Sequence, residues 1–251
     1  KVAEAETAMT TALDAYRFND AAGSLYAFTW NTFCDWYLEF AKPVFMGTDA
    51  AAKAETRATT AWVLDQIITL LHPIVPFITE ELWQTRAERA QPLITTPWPV
   101  YDAALVDAAV NAEMDWVVRL ISQIRAVRSE MNVPPKAKIP MLLKDADAAA
   151  QAALATHQDL ILRLAGLSEA SLLTGEVPKG AVQDVLDGAM IILPIADAID
   201  LDAEKARLLK EIAKQDAEID RFEKKLGNAK FVANAPAEVV DGEREKLSDA
   251  Q

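Results

Sequence analysis

Few side chains in this sequence have the type and spacing for covalent or acid–base chemistry. There is one cysteine, Cys34, and two histidines, His72 and His157, lie far apart without cysteine companions. A zinc site is therefore not expected. Glu80 and Glu81 stand at the start of a predicted helix, where acids suit the positive end of the helix dipole without implying catalysis. No glycine-rich phosphate loop, Walker signature or GxSxG elbow occurs. What the spacing does offer is charge. Across residues 119–144, Arg119, Arg125, Arg128, Lys136, Lys138 and Lys144 stand against the single acid Glu130. A basic patch can hold phosphates inside an acidic protein, because salt limits the reach of distant acids to roughly 10 Å. The competing structural reading is a solvated face. Without a catalytic constellation, a binding or interaction module is favoured.

These side chains must be positioned by a mainly α-helical scaffold. The chain has 251 residues, half apolar and a quarter charged, room for two or three domains with a sizeable core. The net charge of −13 argues against nonspecific nucleic-acid binding over the whole surface. A single cysteine excludes an internal disulfide and fits a reducing, cytoplasmic compartment. No apolar run approaches the roughly 18 residues that a membrane span needs, so no membrane partner is expected. The chain opens on Lys1 rather than Met, in a helical pattern, which suggests a piece of a longer or processed protein.

Three blocks are expected. Residues 1–100 form a helical bundle. Its first helix breaks near Asn19, and a second runs from about Ala22 to near Pro43. A third runs from about Ala51 to Leu71, ended by His72-Pro73, and a fourth starts on Pro76. Residues 101–198 form an α/β connector whose long helix, 108–131, can pack on the bundle and is broken by Asn132-Val133-Pro134-Pro135. Ile139–Lys144 is expected as a strand, edge or irregular because of Pro140. A helix from Ala146 to Leu164 ends at Gly166. Three further strands (170–173, 181–186 and 190–195) complete a small antiparallel sheet, with Asp187-Gly188 as a two-residue hairpin turn. Residues 199–251 form an antiparallel coiled-coil hairpin. Leu201, Lys205, Leu208, Ile212, Gln215, Ile219, Phe222 and Leu226 step by four and three, an a/d seam about 40 Å long at 1.5 Å per residue. Gly227-Asn228 ends its first helix and Pro236 opens the second.

Ten of the eighteen aromatic residues fall between Tyr16 and Phe45. Tyr26, Trp30, Phe33, Tyr37 and Phe40 recur at α-helical spacing and predict one buried stripe. The opposite face carries Asn31, Asp35, Glu39 and Lys42, with Phe28 among them.

Four segments resemble the C-terminal region of the bacterial valyl-tRNA synthetases, class I aminoacyl-tRNA synthetases. They are Leu25–Pro43 (LYAFTWNTFCDWYLEFAKP), Leu70–Gln84 (LLHPIVPFITEELWQ), Arg128–Pro135 (RSEMNVPP) and the arm Ala203–Leu247. The second is shared with the isoleucine and leucine enzymes. The arm's ending, matching KLxNxxFVxxAPxxVVxxER, is the specific one. The resemblance implies an anticodon-binding bundle, an α/β connector and a tRNA-binding arm along the tRNA's outer corner. It implies valine tRNA as partner, a monomer, and catalytic and editing domains upstream of Lys1. ATP and Mg would belong to that catalytic domain, with no cofactor in this part. A structural coiled-coil adaptor, self-associating through Leu208, Ile212 and Ile219, and the corresponding region of an isoleucyl- or leucyl-type enzyme are the alternatives.

Single-stranded bases are recognised by stacking on aromatic or arginine planes and by hydrogen bonds to their edges. Under this resemblance, Phe28, Asn31, Asp35 and Lys42, or the turn at Arg17, Asn19 and Asp20, are expected to touch the anticodon loop. Arg125 and Arg128, one turn apart, and Asn132 beyond them are expected to meet phosphates or a base. Lys210, Lys214, Lys224, Lys225 and Lys230 are expected to meet tRNA phosphates along the arm.

Overall fold

The computed structural model describes residues 1–196, 198–199, 201–228 and 236–250, mostly helical with one four-stranded sheet. The chain divides into two compact units, Lys1–Arg119 and Leu120–Gln251.

The first unit holds α1 (Val2–Asp14), α2 (Phe18–Ala27), a π-helical segment (Phe28–Tyr37), α3 (Leu38–Met46), α4 (Ala50–Leu71) and α5 (Pro76–Arg86). Asp49 caps α4 by accepting from the Ala51 and Ala52 amides, and Pro76 takes the first-turn position of α5. The chain turns between α1 and α2 through Tyr16, whose φ of 56° is left-handed. The core gathers Ala5, Met9 and Ala12 from α1, Ala21 and Leu25 from α2, Phe28 and Phe33 from the π segment, and Val63, Ile67 and Leu70 from α4.

The π segment overturns part of the expected stripe: Phe33 is buried and Tyr37 packs against the core as expected, but Tyr26 and Trp30 do not. In a π-helix each amide reaches back five residues, as the Leu38 amide does to the Phe33 carbonyl. Residues five apart then share a face. Phe28, Phe33 and Leu38 therefore turn to the core together, while Tyr26 and Trp30, assigned inward at 100° per residue, are 66% and 56% exposed. Phe28, expected to face outward, is 8% exposed. The helical run also continues through Pro43 to Met46 instead of stopping there.

The unit boundary falls inside α6 (Ala108–Glu130). A Schellman motif ends this helix: the Val133 amide donates to the Arg128 carbonyl and the Asn132 amide to the Ser129 carbonyl, with Asn132 at φ 50°. The second unit then runs β1 (Ile139–Lys144), α7 (Ala148–Thr156), α8 (Gln158–Ala165), β2 (Leu167–Leu172), β3 (Ala181–Leu186) and β4 (Ala189–Pro194). The expected helix over 146–164 is two helices, broken at His157. The sheet order is β2-β1-β4-β3. The sheet is mixed, not antiparallel, because β1 and β2 pair in parallel. A parallel return needs a crossover of a dozen residues or more, and α7 with α8 supplies it. β1 is an inner strand, and the register with β2 shifts between Ile139 and Pro140, which accommodates the proline's missing donor. The β3–β4 hairpin turns on Asp187-Gly188, both at positive φ, as expected. Ile139, Met141 and Leu143 from β1 are buried, as are Ile191, Ile192 and Leu193 from β4.

Two helices close the chain, α9 (Leu201–Leu226) and α10 (Ala237–Ala250), and they pack on each other. Of the expected seam, Ile219, Phe222 and Leu226 are half-buried and Ile212 is exposed. Val240 of α10 is buried. Lys230 and the rest of the connection between the helices lie outside the described residues.

Candidate nucleic-acid interface

The π segment determines which side chains solvent sees. Its exposed face carries Trp30, Asn31 and Asp35, and Tyr26 stands exposed in α2 immediately before it. This pairs two aromatic planes with an amide and a carboxylate. The polar residues expected here are exposed, but the aromatic partner changes. Phe28 belongs to the core and cannot stack on a ligand, whereas Tyr26 and Trp30 can. Sequence periodicity missed both. The signal that marks them is an apolar residue at every fifth position, Phe28, Phe33 and Leu38. Phe33 and Tyr37 stack at 5.6 Å with an interplanar angle of 14°, which ties the π segment to its own inner face. Tyr26 lines a small apolar groove with Ala22, Gly23, Thr29 and Leu71. The Thr29 hydroxyl is buried and has no hydrogen-bond partner among the described residues. Lys42, on α3, is ion-paired with Glu39.

The turn at the start of α2 is a second exposed group. Tyr16 and Phe18 flank Arg17 and meet edge to face at 6.4 Å. Arg17 pairs with Asp20 at 3.5 Å, and Asn19 is exposed beside them. Arg17 and Asp20 line a groove along α1 with Ala3, Thr7 and Thr11. This groove is distinct from that of Tyr26, so the structure does not bring the two expected contact groups into one cleft.

Arg125 and Arg128, expected to meet phosphates or a base, both donate to backbone carbonyls. Arg125 is exposed and its Nε donates to the Leu164 carbonyl at 2.9 Å. Arg128 is only 9% exposed. Its Nη1 donates to the Gly166 carbonyl (3.0 Å) and its Nη2 to the Ala137 (2.7 Å) and Pro134 (3.3 Å) carbonyls. Arg128 is thus a structural tie between the end of α6, the loop after it and the end of α8. Desolvation draws its guanidinium below the ordinary arginine pKa. Asn132 supplies the left-handed residue of the α6 cap, a backbone role that its predicted contact role did not include. On α9, Lys210, Lys214 and Lys224 are exposed, and Lys225 is half-buried.

Glu80 also has a structural role. It accepts from the Leu93 and Ile94 amides at 3.1 and 3.3 Å and from Gln84 Nε2 at 2.8 Å, fixing the segment after α5. Nearby, Asp65 of α4 accepts from Arg86 Nε and Arg89 Nη2, and Arg89 lies 3.7 Å over the Trp83 ring. Among the described residues, no group of three or more His, Cys, Asp or Glu is placed to hold a metal, and no helix is long and apolar enough to cross a membrane.

The first unit is helical and exposes aromatic and polar side chains together along its π segment. Residues 1–143 match the family described as the anticodon-binding domain of tRNA ligase, and the chain belongs to that family. Residues 200–251 match the valyl tRNA synthetase tRNA binding arm. The relatives point the same way. The chain is 52% identical to a valine–tRNA ligase of Mesorhizobium japonicum, over 96% of this chain and 26% of that protein. It is 50% identical to one of Caulobacter vibrioides, over 97% and 27%, and 49% identical to one of Brucella suis, over 98% and 27%. The chain thus spans about a quarter of the length of the curated relatives it matches.

Proposed function

We propose that this chain is the tRNA-binding portion of a valine–tRNA ligase. It positions valine tRNA, while ATP-dependent ligation of valine takes place on other domains of the same polypeptide. One observation carries the reading: an anticodon-binding domain and a valine-type tRNA-binding arm follow one another in a single chain with valine–tRNA ligases as its relatives. In this reading the exposed face of Tyr26, Trp30, Asn31 and Asp35 meets unstacked anticodon bases. Their two aromatic planes and two hydrogen-bonding side chains supply the stacking and edge contacts that single-stranded RNA recognition uses. The helices α9 and α10 form an antiparallel coiled-coil hairpin whose lysines follow backbone phosphates at the tRNA's outer corner. The protein works in the cytoplasm, as a monomer.

The test is filter binding at low salt with valine tRNA and a version carrying a swapped anticodon. The cognate tRNA should bind more tightly, and both affinities should fall as salt rises. Equal affinity for the two RNAs would sink the anticodon role of the first unit.

A further inference from the structure

Arg128 is a buried cation with no anion beside it among the described residues. Its hydrogen bonds to Gly166, Ala137 and Pro134 all end on carbonyls, and among the described residues no carboxylate lies within ion-pair distance. An unpaired buried charge is costly, and carbonyl dipoles offset that cost only in part. Arg128 forms one wall of a cleft of about 570 Å³ in the second unit. The same cleft is lined by Arg125 and Ser129 of α6, by Asn132 of the cap and by Arg163 of α8, with no Asp or Glu among the described residues that line it. The bond from Arg125 Nε to the Leu164 carbonyl fixes that side chain at the wall. The carbonyls of Leu164 and Gly166, at the negative end of α8, are already taken by Arg125 and Arg128, which removes much of their repulsion toward an anion.

We propose that this cleft binds an oxyanion of the phosphate class. Arg125 and Arg163 hold it directly, and Arg128 supplies positive field from beneath. Guanidinium forks match tetrahedral oxyanions in geometry as well as charge. The anion is either a backbone phosphate of a nucleic acid or a free oxyanion, and the chemistry of the site is the same for both. The inference goes beyond the anticodon-reading face, since it concerns the second unit and its primary test needs no RNA.

The 251-residue chain is melted in increasing sodium phosphate and, separately, in sodium chloride at matched ionic strength. A ligand bound only by the folded state raises the melting temperature by mass action. The wild type should gain more from phosphate than from chloride. The Arg125→Gln, Arg163→Gln double variant, which keeps Arg128 and its carbonyl contacts, should bind phosphate at least about ten-fold more weakly. Because each protein is compared with itself in chloride, a change in its basal stability does not blur the result. The arginine Nε–H resonances in an NMR titration with phosphate provide a second readout, in which Arg125 and Arg163 should move and the arginines of the first unit should not. An equal phosphate effect in wild type and double variant, or none above chloride, overturns the proposal. In a final arm, phosphate is added to the complex with valine tRNA. Competition that is absent in the double variant identifies the anion as a nucleic-acid phosphate. A cleft that binds phosphate without competing identifies a free oxyanion, and either result keeps the site.

Discussion

Arg128 and Gly166 hold each other in place. Gly166 turns the chain out of α8 at φ +68°, and its carbonyl accepts from Arg128 Nη1 at 3.0 Å. A Cβ on Gly166 would lie 3.2 Å from the Arg128 Cζ. The glycine is thus required twice, by its own backbone and by the guanidinium lying against it.

Gly166→Ala should destabilise the chain by about 1–2 kcal/mol from the left-handed backbone alone, with the crowding against Arg128 adding to it. Arg128→Ala should cost more, about 2–4 kcal/mol, because three carbonyls are left without their donor. Arg128→Lys should not rescue it, since one ammonium cannot span the carbonyls of Gly166, Ala137 and Pro134. Urea titrations of the four proteins measure this, and a lysine variant as stable as wild type would refute the geometric argument.

Phe28 and Trp30, two positions apart, should separate stability from binding. Phe28→Ala empties a core position and should cost about 3–5 kcal/mol of stability. Trp30→Ala should leave the unfolding midpoint nearly unchanged and weaken binding of an isolated anticodon stem-loop by about 1–3 kcal/mol, the worth of one stacked base. Circular dichroism melts and fluorescence titration measure the two quantities. A stable Phe28→Ala protein with reduced RNA affinity would reverse the assignment.

Acid should loosen the segment after α5 through Glu80. Loss of solvent pushes the Glu80 carboxyl up, but the hydrogen bonds from Gln84 and from the Leu93 and Ile94 amides, with the nearby His72, outweigh it. The net effect holds Glu80 below its ordinary value of 4.5. A carboxyl with a depressed folded pKa stabilises fully above its unfolded value, and that contribution fades as pH falls through the folded one. Wild type should therefore lose more stability than Glu80→Gln on going below about pH 4.5, as followed by urea midpoints at successive pH values. Parallel pH curves would exclude Glu80 as the source.

The arm should register in the salt dependence. Replacing Lys210, Lys214 and Lys224 with Gln should lower tRNA affinity and flatten the plot of log affinity against log salt by about 0.7–0.9 for each phosphate left without its lysine. An unchanged slope would mean that these lysines serve only the helix, as Lys224 does toward Asp220 at 3.9 Å.

Caps and turns were the most legible part of the fold. Pro76, Gly166, Asp187-Gly188 and Pro236 each impose a local backbone state, and each sits where its chemistry predicts. Strand direction was not legible, because β1 and β2 carry the same apolar pattern whether they pair parallel or antiparallel. The crossover α7–α8 decides it, and that is a property of the path between them. The candidate site was half legible. Asn31 and Asp35 are exposed as expected, but Phe28, Tyr26 and Trp30 exchange places, because a helical wheel presumes one constant angle per residue and the π segment breaks that presumption. Arg128 could not be placed from sequence at all, since carbonyls leave no signature in side-chain spacing.

The π segment also divides this helical run into two wheels. Residues up to Ala27 and residues from Leu38 onward each follow α-helical phase, but no single wheel contains both. A graft of Leu25–Pro43 into a regular helix would keep every residue and still turn Trp30 toward the scaffold's interior. In comparisons among relatives, single-residue insertions or deletions between Phe28 and Tyr37 therefore matter more than substitutions there, because they reset which flank meets the solvent.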